Sequence, residues 1–350
     1  MSDRIYLGAL LDINKEQYLP IMAEQYNKLN GFTVGTGCIT KFDDTHIISS
    51  DANNLYIRDS YTLELVKQIP TIKPIYHGTR YPFVINASGD KIYHMHRLNE
   101  DIYVCIYDLI SNTWSTHAVS FGPVSYAAFT NMQWLYLDDD YIYVYSGYFY
   151  LTKISLTDFS VVAYKPVAGD FSQNRVTFDG TYFYVAVVID NASYIQKLDK
   201  NTFTPLATSS PLVKGSSSYP AKPSNMYYHN GFVYMVDGTA TSANNIYKVD
   251  AVTLALIATF PDTQPTRRVQ SLYADEDNRL FGVSDAYLQE YDINTLSVLM
   301  HLVLKDNTEH QQLFSYPKGG TLLYASSLAA TQYERSYTIQ SYKKLKESVI

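Results

Sequence analysis

The chain has 350 residues, 46% of them hydrophobic and 17% charged, a balance that argues against a disordered or low-complexity protein. Its net charge is −7 and its basic cluster is confined to Lys343, Lys344 and Lys346, which argues against a binder of nucleic-acid phosphates. The two cysteines, Cys38 and Cys105, form neither a metal-type pair nor a disulfide framework and are expected to be buried thiols.

In chain order, residues 1–13 carry one early arginine and a short apolar run broken by Asp12. They lack the basic start, long apolar core and small-residue cleavage site of a secretory leader, so a soluble chain made in a cytoplasm is expected. Residues 4–13 suit a strand. Residues 14–30 suit a short helix: Asn14 is a capping residue, Pro20 favours a start near Leu19, and Tyr18, Ile21, Met22 and Tyr26 share one side. Residues 1–30 are expected to be an extension, either a plug or an attachment arm, and residues 31–350 a single repeat domain.

The repeat has two ladders. In the first, an apolar strand ends in an anchor residue, commonly Asp, followed by a polar turn and a second apolar strand. Asp59, Asp108, Ser155, Asp199, Asp250, Asp292 and Ser341 are the anchors, spaced by 49, 47, 44, 51, 42 and 49 residues. The turn reads Asp199-Lys200-Asn201-Thr202, Asp250-Ala251-Val252-Thr253 and Asp292-Ile293-Asn294-Thr295 in its clearest copies. Asp side chains fix such turns by bonding nearby amides, so the anchors are read as structural. The second ladder places a tight polar turn before an apolar-aromatic strand. Examples are Gly89-Asp90, Asp138-Asp139-Asp140, Asp179-Gly180, Asn230-Gly231 and Asp277-Asn278. Two ladders in step imply four short strands per unit, and seven units predict an all-β, seven-bladed β-propeller of four-stranded antiparallel blades. The 34 tyrosines suit strands of this kind and also adaptable recognition surfaces.

The Asp–Thr turn phrase resembles the YVTN and quinoprotein-like propeller repeats, most closely in Asn54-Leu55-Tyr56-Ile57-Arg58-Asp59, over about residues 33–350. Tyr107 to Trp114 looks a little like a kelch blade. The Trp-Asp dipeptide of WD40 repeats, the Trp-terminated motif of quinone-dependent dehydrogenases and the sialidase-type Asp box are not present. In composition and context the chain also looks like propeller modules of bacteriophage tail fibres and baseplates. That resemblance implies a non-enzymatic virion protein, extracellular after assembly. It implies binding to another virion protein through residues 1–30, or to a host surface glycan, without nucleic acid or membrane insertion.

In a four-stranded blade the regular turns share one face, and the longer connections share the other, where function usually sits. Those connections supply the candidate ligand-binding residues Tyr76, His77, Arg80, Tyr126, Asn131, Arg175, Tyr219, Asn225, Arg267, Arg268 and Gln311. Arg80, Asn131, Arg175, Asn225, Arg268 and Gln311 fall near the starts of innermost strands. A basic, amide-rich funnel there suits an anionic or polyhydroxylated ligand; polar strand ends that merely solvate the channel mouth are the alternative. His94 and His96 alternate to one side of a strand without a third metal ligand in sight, and are read as packed against the next blade. No catalytic residues, metal or cofactor are expected. The competing reading is a cytosolic propeller enzyme, lactonase- or lyase-like, with its site in the axial funnel. Such a site needs converging carboxylates or histidines that the funnel residues do not supply.

Overall fold

The fold was described from a computed structural model, which defines residues 17–20, 34–35, 39–43, 45–50, 53–59, 64–72, 83–98, 101–121, 132–146, 150–166, 176–214, 222–238, 245–261, 269, 271–274, 278–283, 287–303, 309–316, 321–330 and 334–345. Every regular element among them is a strand, and the strands form small antiparallel sheets arranged as a β-propeller.

Six blades consist of four consecutive strands each. Blade one is Ile39–Lys41, His46–Ser50, Asn54–Asp59 and Leu65–Pro70. Blade two is Phe83–Ile85, Lys91–Leu98, Asp101–Asp108 and Thr113–Ala118. Blade three is Met132–Leu137, Tyr141–Ser146, Tyr150–Ser155 and Val161–Pro166. Blade four is Val176–Phe178, Tyr182–Ile189, Ala192–Asp199 and Pro205–Thr208, with Val213–Lys214 added on its third strand. Blade five is Lys222–His229, Phe232–Gly238, Asn245–Asp250 and Leu256–Pro261. Blade six is Ser271–Ala274, Arg279–Val283, Tyr287–Asp292 and Val298–Val303.

The expectation of seven such blades is corrected to six. The remaining sheet is composite: Glu309–Tyr316, Thr321–Ala330 and Glu334–Leu345 come from the C-terminal end, while Gln17–Pro20 and Val34–Gly35 pair with the last of them from the N-terminal end. Its first strand neighbours the first strands of both blade six and blade one. Gln17–Pro20 is thus a strand where the helical reading of residues 14–30 begins; backbone pairing with the C-terminal strand overrides the local spacing. The rest of that helix reading lies outside the described residues.

The register also moves the last anchor. In the six blades the second strand starts opposite the anchor: His46 pairs with Asp59, Lys91 with Asp108, Tyr141 with Ser155, Tyr182 with Asp199, Phe232 with Asp250 and Arg279 with Asp292. In the composite sheet Thr321 pairs with Lys343, so the anchor position there belongs to Lys343 and not Ser341. The third strand runs on to Leu345 with no Asp-capped turn, because it is taken up by the N-terminal strand.

The alternation of side chains explains why the blades stack. Along Phe232–Gly238, Val233 and Met235 join the core shared with blade four, while Tyr234 and Val236 join the core shared with blade six. Both faces are covered, so the two middle strands of a blade read as near-continuous apolar runs. Outer strands show the opposite pattern, Pro205–Thr208 being exposed throughout.

Each Asp-capped turn is a small machine for reversing the chain. Asp250 Oδ1 accepts from the amides of Val252 (3.0 Å) and Thr253 (2.7 Å) and from Thr253 Oγ1 (2.8 Å). Asp199 and Asp292 repeat the two amide bonds. Four residues past the anchor the backbone enters the left-handed region, at Asn112, Phe159, Phe203, Leu254 and Leu296 (φ 56° to 58°). That conformation costs a side chain roughly 1–2 kcal/mol. Burying Phe203, Leu254 and Leu296 almost completely offsets it, at about 1.5–3 kcal/mol each. The anchors therefore have the structural role their spacing indicates.

Candidate functional site

Of the eleven candidate ligand-binding residues, Asn225 has a described side chain. It is 4% exposed, and its Oδ1 accepts from the Leu272 amide at 3.4 Å, joining the first strands of blades five and six. A register irregularity between Pro223 and Asn225 gives the strand its local kink. Gln311 lies in Glu309–Tyr316, at the irregularity between His310 and Gln312. Tyr76, His77, Arg80, Tyr126, Asn131, Arg175, Tyr219, Arg267 and Arg268 lie outside the described residues.

His94 and His96 sit on one side of their strand, each 2% exposed, with ring centroids 6.4 Å apart. The Phe83 ring meets His94 edge-on at 6.3 Å. They occupy the alternation shared by Val144, Val185 and Met235, which pack on the preceding blade, so the pair faces blade one rather than the next blade. Burial, with His96 beside it, holds His94 neutral, its pKa lowered to about 3. Cys105, a buried thiol, stands directly across from His94. Among the described residues no three His, Cys, Asp or Glu side chains are grouped to hold a metal ion. Cys38 lies outside them.

The polar groups that do converge lie at the seams between blades, which the sequence reading missed. In blades three, four and five the third strand carries a lysine two residues before the anchor. Lys153, Lys197 and Lys248 lie opposite Tyr143, Tyr184 and Tyr234. Their ammonium groups lie over Tyr141 (3.7 Å), Tyr182 (4.0 Å) and Phe232 (4.1 Å). Each then reaches the capped turn of the following blade. Lys153 Nζ donates to Asn201 Oδ1 (3.0 Å), Lys197 Nζ to the Ala251 carbonyl (3.3 Å) and Lys248 Nζ to the Ile293 carbonyl (2.8 Å). Lys67, from the outer strand of blade one, does the same to Asn112 Oδ1 of blade two (2.5 Å). Trp114 Nε1 donates back across that seam to the Pro70 carbonyl (2.8 Å). Burial lowers the pKa of Lys153 and Lys248, nearby aspartates opposing it. The lysines recur as Lys-x-Asp in two anchors and Lys-x-Ser in a third, a signal visible in the sequence once the anchors are aligned.

Buried tyrosines use the turns of their own blade. Tyr143 Oη donates to Asp138 Oδ2 (3.0 Å) and Tyr184 Oη to Asp179 Oδ2 (2.8 Å), with the Ala251 carbonyl 3.0 Å from the same hydroxyl. Asp138 also meets Lys200 Nζ of blade four at 2.8 Å. Burial and the adjacent carboxylates raise both tyrosine pKa values, keeping the hydroxyls protonated as donors. In blade five the matching turn residue is His229, and the Tyr234 hydroxyl, fully buried, has no hydrogen-bond partner among the described residues. This arrangement fixes turns and seams.

No protein-family model matches the chain, and no curated protein matches it either. Among solved structures it is similar to the crystal structure of the computationally designed Ika8 protein. The two are 10% identical with a TM-score of 0.54, and the match covers 89% of this chain and 96% of that one. At that identity the likeness speaks for the fold alone, and the fold is a β-propeller.

Proposed function

We propose that the chain is a non-enzymatic recognition scaffold, a tail or fibre component of a virus particle. In this reading the composite sheet is a seventh blade closing the ring. The connections 71–81, 120–131, 167–175, 213–225, 262–270 and 305–312 form a face that binds another virion protein or a host surface glycan. Arg80, Arg175 and Arg268 engage anionic or polyhydroxylated groups there, and the N-terminal segment serves attachment.

One observation carries the non-enzymatic reading. The polar side chains that recur from blade to blade bond their own turns and the neighbouring seam, as Asp250 and Lys248 do. A rigid frame with variable connections is the physical form of a binding module. The test is binding of the purified protein to a panel of bacterial surface polysaccharides, beside a variant with Arg80, Arg175 and Arg268 changed to Ala. Binding that the variant loses supports the reading. Absence of binding, together with turnover of lactone or polysaccharide-lyase substrates, replaces it with an enzyme.

A further inference from the structure

We propose that Asn230-Gly231 is a site of spontaneous covalent modification. Loss of the Asn230 side-chain amide there yields isoaspartate and unfastens blade five from blade six at the turn face.

The chemistry starts from the dipeptide. A backbone nitrogen can attack the side-chain carbonyl carbon of the asparagine before it, and it is least shielded when its own residue is glycine. The chain has two Asn-Gly steps, Asn30-Gly31 and Asn230-Gly231. The first lies outside the described residues. The second is the tight turn between Lys222–His229 and Phe232–Gly238, with φ of 45° at Asn230 and 83° at Gly231. Asn230 is exposed, and the space where a side chain at Gly231 would begin is open, with no atom within 4 Å. In the reaction the Gly231 nitrogen gives up its proton and bonds to Asn230 Cγ. The Cγ–Nδ2 bond breaks, and ammonia leaves with that proton as a succinimide ring closes. Water then opens the ring. Addition at Cγ gives aspartate, and addition at the backbone carbonyl gives isoaspartate, whose main chain is one methylene longer.

Two hydrogen bonds guard the reacting atoms. The Gly231 amide donates to Tyr228 Oη (3.2 Å), and Asn230 Nδ2 donates to Asn278 Oδ1 of blade six (2.5 Å). His229 Nε2 lies 3.1 Å from the same Asn278 oxygen. Attack therefore proceeds through local opening of this turn, and its rate reports how firmly the seam is held. The products act back on the seam. Each replaces a donor by a carboxylate facing the Asn278 acceptor. Aspartate is accommodated by turning over the Asn278 amide, which brings its Nδ2 to the carboxylate. Isoaspartate is not, because the extra methylene breaks the two-residue turn that aims residue 230 across the seam.

The test is to age the purified full chain under warm, mildly alkaline conditions and map it by peptide mass spectrometry, with isoaspartate counted by enzymatic methylation. Asn112, Asn201 and Asn294, exposed and each followed by Thr, are the internal reference. Conversion at residue 230 is expected to run many-fold faster than at these three. Asn278→Gly removes the acceptor, tolerates the positive φ there, and is expected to speed conversion several-fold. In aged protein, amide hydrogen exchange is expected to quicken several-fold in residues 222–238 and 279–283 and to stay unchanged in blades two and three. Asn230→Gly keeps the turn and cannot react, so it should age without this change, which separates the effect from any conversion at Asn30. Fresh Asn230→Asp should exchange like wild type. Conversion at residue 230 no faster than at the reference asparagines overturns the proposal, and so does isoaspartate at 230 with exchange across the seam unchanged.

Discussion

Tyr184 and Tyr234 occupy the same place in consecutive blades, and removing their hydroxyls should have opposite effects. Tyr184→Phe deletes a donor to the charged Asp179 oxygen at 2.8 Å. A bond to a charged group contributes about 1.5–3 kcal/mol. Asp179 keeps two backbone donors, the amides of Thr181 and Tyr182, so its charge is not orphaned and the loss should stay within that range. Tyr234→Phe deletes a buried hydroxyl without a partner among the described residues, whose desolvation costs about 1–3 kcal/mol. The ring and its neighbours Val236, Leu272 and Tyr291 are left in place. Urea unfolding followed by far-ultraviolet circular dichroism should place the Tyr184→Phe midpoint below wild type and the Tyr234→Phe midpoint above it, with equal slopes. In a His229→Asp background, which supplies the carboxylate found in blades three and four, Tyr234→Phe should become destabilising. A Tyr234→Phe variant weakened as much as Tyr184→Phe would refute the idea that the blade-five turn leaves its tyrosine unsatisfied.

Lys248→Met keeps the aliphatic stem but removes the ammonium held by Phe232 and the Ile293 carbonyl; the expected loss is about 1–3 kcal/mol, seen as a lower urea midpoint. Gly282→Ala sets a new methyl 2.9 Å from the ring of fully buried Tyr291, so a loss of about 1–3 kcal/mol and a lower melting temperature are expected. His94 has its folded pKa depressed to about 3, so the unfolded chain takes up its proton first, and stability should fall as pH drops from about 6.5 toward that value. His94→Leu should flatten this part of a stability-against-pH curve. Asp199, Asp250 and Asp292 are also lowered, chiefly by backbone amides, so their contribution is present above the ordinary carboxylate range and disappears as pH falls through their folded values. Asp250→Asn should reduce that later loss, measured as urea midpoints below pH 4 or so.

The blade pattern was legible because its signals are local. Asp199 and Asp250 cap amides two and three residues away, and Asn230-Gly231 turns a hairpin on its own positive φ values. The composite sheet was not legible, since nothing in Gln17–Pro20 announces pairing with a strand at the other end of the chain. Anchor spacing alone put Ser341 where the register puts Lys343. The lysine fastenings were missed for a related reason: Lys248 meets Phe232 within its blade, but its hydrogen bond is to another blade, and single-strand spacing carries no inter-blade information. Asn225 was chosen as a polar strand start, and the structure gives that polarity a backbone partner in the next blade.

Pairing Gln17 with Leu345 joins residues separated by nearly the whole chain. During synthesis, blades one to six can form in order as they emerge, since their strand pairs are close in sequence. The N-terminal strand, by contrast, must wait with an unsatisfied edge until its partner strand Glu334–Leu345 has been made. Closure is then the slow, high-entropy step of folding, and the interval before it is when this chain is most exposed to pairing with another copy of itself.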